Sequence, residues 1–102
     1  MFKFSTGSYL IFSPGLPHHP DLLTIFRKNK VRCDIISDYE TLLNRMTISL
    51  PDAILMIVDG DQSTAFVREI RSEKTFDQVP ILVFPSAERA ISNIQSYFGN
   101  SR

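Results

Sequence analysis

The sequence lacks several features that would assign it to a functional class directly. Its single cysteine, Cys33, excludes an intramolecular disulfide framework and is compatible with a reducing compartment. Eleven basic and eleven acidic residues cancel, so no excess charge of one sign attracts nucleic acid or an anionic membrane. No apolar run reaches the roughly 20 residues that a membrane-spanning helix needs, and the beginning of the chain does not follow a signal-peptide pattern. We therefore expect one soluble, cytoplasmic domain over residues 1–102, with no nucleic-acid or membrane partner.

Common signatures of catalysis and cofactor binding are missing as well. The sequence has no phosphate-binding glycine loop, nucleophile elbow, zinc pattern or dinucleotide fingerprint. His18 and His19 are adjacent, but no second cluster of metal ligands accompanies them in the sequence, so we interpret them as loop residues. Cys33 has no histidine or basic cluster nearby in the sequence that would make it a nucleophile, and we interpret it as a packing residue. These observations predict no metal, no cofactor and no enzymatic activity.

What the chain does contain is a regular alternation of strand and helix patterns. Short apolar runs predict four strands, at 8–12, 31–37, 53–58 and 79–84. Amphipathic segments between and after them predict four helices, at 20–30, 38–50, 63–74 and 86–100. Such alternation with short loops predicts an α/β three-layer sandwich, in which a parallel sheet of about four strands has helices on both faces. Residues 1–7 would be an N-terminal extension or a short extra strand.

Two local patterns give these elements more definite positions. The continuous apolar run at 53–58 fits a central strand that is covered on both faces, whereas the alternating run at 31–37 fits a strand near a sheet edge. Ser37 and Glu40 have the spacing of a capping box at the start of the second helix.

The Asp-Gly-Asp stretch at 59–61 directly follows the predicted central strand and is the most evident candidate for chemistry. Our interpretation is that its first two residues form a turn and that Asp61 or Ser63 caps the third helix. A calcium-binding loop does not fit, because the positions that require glycine and glutamate hold Thr64 and Ile70.

Residues 51–87 contain Pro51-Asp52, then Arg-Glu-Ile-Arg at 68–71, then Val79-Pro80. In their order, and nearly in their spacing, these motifs resemble the corresponding part of a bacterial response-regulator receiver domain. The resemblance extends over residues 8–98, although the first half matches in pattern more than in residues. It implies a flavodoxin-like, receiver-like fold and, for an active member, phosphorylation of an aspartate at the end of the third strand.

The sequence departs from the family at each position that the resemblance implies for phosphotransfer. Ile57 stands where the phosphoacceptor aspartate is expected, and Ser13-Pro14 stands where an acidic pair would help to hold Mg²⁺. Pro85 aligns with the serine or threonine that closes the fourth strand, and Ser86 is one place beyond it. The lysine that ends a fifth strand in the family has no counterpart here. The pattern predicts a pseudo-receiver, a non-catalytic and unphosphorylated module of signal transduction that acts through protein contacts.

Two alternatives remain open at this stage. Asp59 would reach the acceptor position if the strand were shifted by two residues, which would make the chain an atypical phosphorylatable receiver. The second alternative is a small ligand-binding domain on a flavodoxin-like fold, with its site beyond the carboxyl ends of the strands at 13–15, 59–62 and 85–87.

The end of the predicted sheet indicates an interaction surface. Aromatic residues make up 11% of the chain, and we expect most of them in the core. A sheet that ends at its fourth strand leaves 81–84 without an outer neighbour, and an unpaired apolar edge strand pairs readily with another chain. We therefore expect a protein partner or a homodimer through the fourth strand and fourth helix. The predicted surface consists of Ile81, Val83, Ile91, Ile94, Tyr97 and Phe98.

Overall fold

The computed structural model describes residues 7–14, 20–58 and 60–97, and over these ranges strands and helices alternate as predicted. The strands are β1 (Ser8–Phe12), β2 (Arg32–Ile36), β3 (Ala53–Ile57) and β4 (Ile81–Phe84). The helices are α1 (Pro20–Lys28), α2 (Tyr39–Ile48), α3 (Gly60–Arg71) and α4 (Ala87–Tyr97). A single 3-10 turn (Lys74–Phe76) precedes β4.

The four strands form one parallel sheet in the order β2-β1-β3-β4. Strand β3 pairs with β1 and β4, and all five of its residues are buried, which confirms its predicted central place. Strand β2 forms one edge, as its alternating burial predicts. The order of the strands reverses between β1 and β3. Right-handed crossovers therefore place α1 on one face of the sheet and α2 and α3 on the other.

Side chains alternate between the two faces of the strands and divide the core into two clusters. The first cluster lies between the sheet and the helices α1 and α4, and its buried members are Tyr9, Ile11, Leu22, Phe26, Val31, Ala53, Leu55, Ile57, Phe84, Ala90 and Ile94. The second cluster lies under α2 and α3, and its buried members are Leu10, Phe12, Ile36, Leu42, Met46, Ile54, Met56, Val58, Ile70, Phe76 and Val79. The predicted three-layer sandwich is confirmed.

Helix α4 packs beside α1, on the face that α1 alone would leave partly uncovered. Its residues Ala90 and Ile94 are completely buried and share the first cluster with Leu22 and Phe26 of α1. No described strand follows α4, so no crossover rule determines the face of the sheet on which α4 packs. We attribute its position to the apolar surface beside α1, which α4 removes from water. Each face of the sheet thereby receives two helices.

The helices of the described ranges are short, from 9 to 12 residues. Each buries one apolar stripe against the sheet and exposes a polar face, as in ordinary globular domains. None of them is long and apolar enough to cross a membrane.

Two predictions about helix starts were wrong. Helix α2 begins at Tyr39, so its N-cap is Asp38, whose carboxylate accepts the Thr41 N–H at 3.0 Å, and Ser37 lies one position too early to form the capping box. Helix α3 begins at Gly60, before the predicted start. Asp61 therefore lies within its first turn, where a negative charge suits the helix dipole.

The early start of α3 also changes the roles of two further residues. Gly60 is helical and does not form the predicted turn, and Ser63 is a buried residue inside the helix, not its cap. The reason is that the ladder with β4 extends to Val58, whose N–H donates to the Phe84 carbonyl at 3.1 Å. The chain then enters the helix after a single intervening residue.

Candidate functional site

The carboxyl end of the sheet is the expected ligand-binding end of an open α/β fold, at the point where the strand order reverses. Here that point lies between the ends of β1 and β3. The main chain on both sides of it is engaged within the sheet. Ser13 is buried and its N–H donates to the Ile36 carbonyl at 2.9 Å, and Val58 donates to β4 as described above. Of the predicted loop residues, Gly15 and Asp59 lie outside the described residues, as do His18 and His19.

Ile57, at the position expected for a phosphoacceptor, is a core residue. It is 9% exposed and belongs to the first cluster, and it lies opposite Phe84 in the β3–β4 register. Its aliphatic side chain provides neither a nucleophilic oxygen nor a metal ligand. The end of the central strand is therefore used for packing against α1 and α4.

Two polar side chains near this end, those of Asp38 and Ser86, accept hydrogen bonds at the starts of helices. The Asp38 carboxylate accepts hydrogen bonds from the backbone N–H and the hydroxyl of Thr41, both at 3.0 Å. The Ser86 hydroxyl accepts the Arg89 N–H at 3.2 Å at the beginning of α4. Within the described ranges, no group of three or more His, Cys, Asp or Glu side chains is placed to hold a metal ion. Asp38 was missed by the sequence reasoning because the capping-box spacing favoured its neighbour.

An aromatic cluster fills the space below the carboxyl end on the α2–α3 face. Phe12 and Phe66 pack edge to face with ring centroids 5.0 Å apart, and Tyr39 lies 5.1 Å from Phe66. The Tyr39 hydroxyl is buried and has no hydrogen-bond partner among the described residues. Burial, and then the charge of Glu69, raise the pKa of this hydroxyl, so it stays protonated at neutral pH. The Tyr39 hydroxyl is therefore a neutral polar group within an aromatic cluster.

Asp52, the acidic residue of the Pro51-Asp52 motif, acts at the opposite end of the sheet. Its Oδ2 accepts the Ser8 N–H at 2.8 Å, and its own N–H donates to the Ser8 carbonyl at 2.7 Å. A Cβ atom at Gly7 would overlap this carboxylate, so the neighbouring position favours glycine. The motif thus joins the beginning of β3 to the beginning of β1. Sequence reasoning used it only as a sign of the family, because its contact depends on the strand register.

Cys33 is partly buried and packs against the first cluster. Burial, reinforced by the charge of Asp34, raises the pKa of its thiol to about 11. The thiol therefore remains protonated and weakly nucleophilic at neutral pH, which agrees with its interpretation as a packing residue.

The predicted interaction surface does not form one patch. Ile81 packs against the second cluster, whereas Ile91 and Ile94 pack against the first, on the opposite face of the sheet. Ile94 is completely buried, so its assignment to an exposed surface was wrong. The cause is the position of α4 beside α1. The side chain of Tyr97 and the whole of Phe98 lie outside the described residues.

Strand β4 nevertheless leaves one side of the sheet open within the described residues. We call the unpaired side of β4 the open edge. Its residue Val83 is 42% exposed, one of the few large hydrophobic side chains that are exposed in the described ranges. Beside it runs an open groove of about 450 Å³, lined by Ser63, Thr64, Val67, Arg68 and Val83, which we call the α3–β4 groove.

Comparisons with known proteins support the fold. No family model matches the sequence, and no curated protein matches it. Among solved structures, the chain is similar to the N-terminal domain of a response regulator receiver protein from Methanoculleus marisnigri JR1. The TM-score is 0.66 at 16% sequence identity, and the match covers 92% of this chain and 80% of that chain. The receiver-like, flavodoxin-like fold is therefore confirmed, while a likeness at this identity concerns the fold alone.

Proposed function

We propose that this chain is a pseudo-receiver, a non-catalytic module of signal transduction that is not phosphorylated and acts through protein–protein contacts. The receiver-like fold and its structural neighbour support a role in signal transduction. The observation that carries the proposal is Ile57, a buried aliphatic residue at the place where the resemblance requires a phosphoacceptor.

The surroundings of Ile57 support the same function. Transfer of a phosphoryl group to a protein needs an exposed nucleophile and a hard cation that neutralises the phosphate oxygens. The end of β1 provides Ser13-Pro14 in place of carboxylates, and the Ser13 side chain is buried. The Asp38 carboxylate already caps α2. The described part of this end therefore provides little that a phosphorylated aspartate and its metal would need.

The alternative acceptor, Asp59, would need the strand to shift by two residues. The register opposes such a shift, because Ile57 is paired with Phe84 and Val58 is bonded to the Phe84 carbonyl. A shift of β3 by two residues would keep each side chain on its own face of the sheet but would move all five buried side chains out of their packed positions. Asp59 comes directly before the first residue of α3, a position where aspartate commonly caps a helix.

The alternative of a small ligand-binding domain has less support than the pseudo-receiver. The side chains of Asp38 and Ser86 at the carboxyl end accept hydrogen bonds at helix starts. Fold likeness to other ligand-binding flavodoxin-like domains does not by itself assign a ligand. We propose a protein partner, because the balanced charge gives no general attraction for nucleic acid or an anionic membrane. We also propose a cytoplasmic location, with which the single cysteine is compatible.

Treatment with a phosphoryl donor tests this proposal. The protein is incubated with acetyl phosphate, or with beryllofluoride, in the presence of Mg²⁺, and its intact mass and amide NMR spectrum are recorded. We expect no stoichiometric mass gain and no shifts confined to the carboxyl end of the sheet. The Asp59→Asn variant is the matched control. A mass gain in the wild-type protein that disappears in this variant would show an active receiver and refute the proposal.

A further inference from the structure

The open edge has a defined set of unpaired main-chain groups. The carbonyls of Pro80 and Phe84 accept bonds from β3 at 2.9 Å and 3.1 Å, so these residues direct their main chain inward. Because the direction alternates along a strand, Ile81 and Val83 direct both N–H and C=O outward. Pro85 follows the last residue of β4 and has no N–H, and its carbonyl would face outward if the alternation continued by one residue. The open edge therefore has two donors, at Ile81 and Val83.

The opposite edge of the sheet, β2, is protected in a way that the open edge is not. Arg32 and Asp34 are exposed on β2, and the Asp34 carboxylate forms an ion pair with Arg45 of α2. Charged side chains on an edge strand discourage pairing with another chain. Strand β4 has the sequence Ile-Leu-Val-Phe and carries no charge.

We infer that the open edge pairs antiparallel with the open edge of a second copy of this chain, about a twofold axis at Val83. This inference rests on the proposed function as an interaction module and names its partner. Val83 of each copy exchanges both main-chain hydrogen bonds with Val83 of the other. The Ile81 N–H of each copy donates to the Pro85 carbonyl of the other. All outward N–H groups of β4 are then satisfied, and the two sheets become one sheet of eight strands.

Side chains at the edge fit this register. In an antiparallel pair, directly opposite residues project to the same face, so the exposed Val83 side chains meet each other on the α3 side. On the other face, Leu82 of each copy meets Phe84 of the other, and both residues already belong to or pack against the first cluster. The pairing therefore covers the exposed Val83 and extends both apolar clusters across the axis.

Helix α3 carries an acidic and a basic side chain that the same twofold axis would bring opposite each other in the two copies. Asp61 and Arg68 are exposed, and seven residues place them two turns apart on one side of the helix. Neither forms an ion pair within the described residues. The α3–β4 groove places Val83 level with Thr64 to Arg68, near the midpoint of the two charges. With a twofold axis at Val83, the α3 helices of the two copies are antiparallel. Asp61 of each copy then faces Arg68 of the other.

The boundaries of β4 limit the assembly to a dimer. Pro80 and Pro85 flank the strand, and a proline has no N–H with which to extend the ladder. A twofold contact uses the open edge of both copies, and the charged β2 edges are left outward. A closed dimer is expected, not a growing fibre.

Sedimentation analysis of three proteins tests the inference first. Wild-type protein should show a concentration-dependent monomer–dimer equilibrium between about 10 μM and about 1 mM, because four main-chain bonds and a small apolar contact form a modest interface. Val83→Lys places two like charges opposite each other and should weaken the dimer at least about tenfold. Ile48→Lys is the matched control, because Ile48 is 80% exposed at the end of α2, away from the open edge, and it should leave the dimer unchanged.

Charge exchange on α3 tests whether the partner is a second copy. Asp61→Arg and Arg68→Asp should each weaken self-association, because each variant carries like charges on both helices of the pair. Mixing the two variants should recover dimers, since every pair across the axis is again of opposite charge. Only pairing between copies of this chain predicts this recovery.

Disulfide trapping tests the register. In a Cys33→Ala background, Val83→Cys should give a covalent dimer under mild oxidation, because the Cα atoms of a hydrogen-bonded antiparallel pair lie about 5.5 Å apart. Ile81→Cys should not, because its two thiols would lie several residues apart along the strands.

The inference is overturned if wild-type protein stays monomeric throughout this range, if Val83→Lys dimerises as well as Ile48→Lys, or if the mixed charge variants stay monomeric. A monomer whose open edge becomes protected only on addition of a different protein would also overturn it, because the occupant would not be a second copy. None of these results bears on phosphorylation, so the proposed function is tested independently by the phosphoryl-donor experiment.

Discussion

The two ends of the sheet use their polar groups in different ways. At the amino end, the Asp52 carboxylate accepts a hydrogen bond from the Ser8 N–H and thereby joins β3 to β1. At the carboxyl end, Ile57 packs in the core where the resemblance requires an aspartate. The difference shows that Asp52 has a structural role, because its contacts with Ser8 join β3 to β1. At Ile57 the contribution is apolar packing between the sheet and the helices α1 and α4.

The largest change in stability is expected when an aspartate is introduced at the position of Ile57. Ile57→Asp would bury a carboxylate without a partner and should lower the free energy of unfolding by about 3 to 5 kcal/mol. It should not restore phosphorylation, because Ser13-Pro14 provides no second carboxylate. Urea denaturation measures the loss, and Ile57→Val, expected to cost about 1 kcal/mol, is the control. Near wild-type stability in Ile57→Asp, with phosphoryl uptake, would contradict the described packing.

A smaller loss is expected at the amino end. Asp52→Ala removes the acceptor of the Ser8 N–H and should cost about 1 kcal/mol, whereas Asp52→Asn keeps an acceptor oxygen and should cost less. Gly7→Ala should give a similar loss, because the added methyl displaces the same carboxylate. The double variant Gly7→Ala, Asp52→Ala should lose less than the two single losses together. Additive losses, measured by urea denaturation, would show that the two residues act separately.

A substitution in the aromatic cluster at the carboxyl end should not lower stability, in contrast to the substitutions at the amino end. Tyr39→Phe removes a buried hydroxyl that has no partner among the described residues, so stability should be unchanged or rise by about 0.5 to 1 kcal/mol. Thermal denaturation compares this variant with Phe66→Leu, which keeps an apolar side chain but removes an aromatic neighbour and should be destabilising. Destabilisation by Tyr39→Phe would indicate that the hydroxyl has a role in the fold.

The smallest effect concerns Cys33, near the beginning of β2. Burial raises the pKa of the folded thiol from its ordinary 9.0 to about 11, so its stabilising contribution is complete below pH 9 and is lost as the pH rises towards 11. Alkylation by iodoacetamide should be slow at pH 8 and should accelerate with a midpoint near pH 11. Cys33→Ala should flatten the corresponding fall in stability above pH 9. An alkylation midpoint near pH 9 would show an exposed, ordinary thiol.

Much of the fold could be predicted from local patterns. The continuous apolar run at 53–58 predicted the central strand, and the alternating run at 31–37 predicted an edge strand. Both predictions were possible because the spacing of apolar residues indicates whether a strand is buried on one face or on both. The side on which α4 packs could not be predicted in this way, since no strand follows α4 within the described residues to fix a crossover. This is why Ile94 was assigned to a surface although it lies in the core.

The candidate site was predictable in part for a related reason. The resemblance and the spacing from Pro51-Asp52 led us to expect the acceptor position at Ile57, and the structure shows that Ile57 packs in the first cluster. The role of Asp52 itself depends on the pairing of β3 with β1, which residue spacing alone does not reveal. The cap at Asp38 was missed because two adjacent residues can both act as helix caps, and only the helix start decides between them.

The most direct test of the account is whether a divalent cation binds at the carboxyl end of the sheet. Amide NMR signals of Ser13, Val58 and Asp61 are followed while Mg²⁺ is added, and then while traces of paramagnetic Mn²⁺ replace it. If the carboxyl end lacks a phosphotransfer site, these signals should neither shift nor broaden more than those at the amino end. Saturable broadening confined to these three amides, and lost in Asp59→Asn, would reveal a metal-binding acidic site and contradict the account.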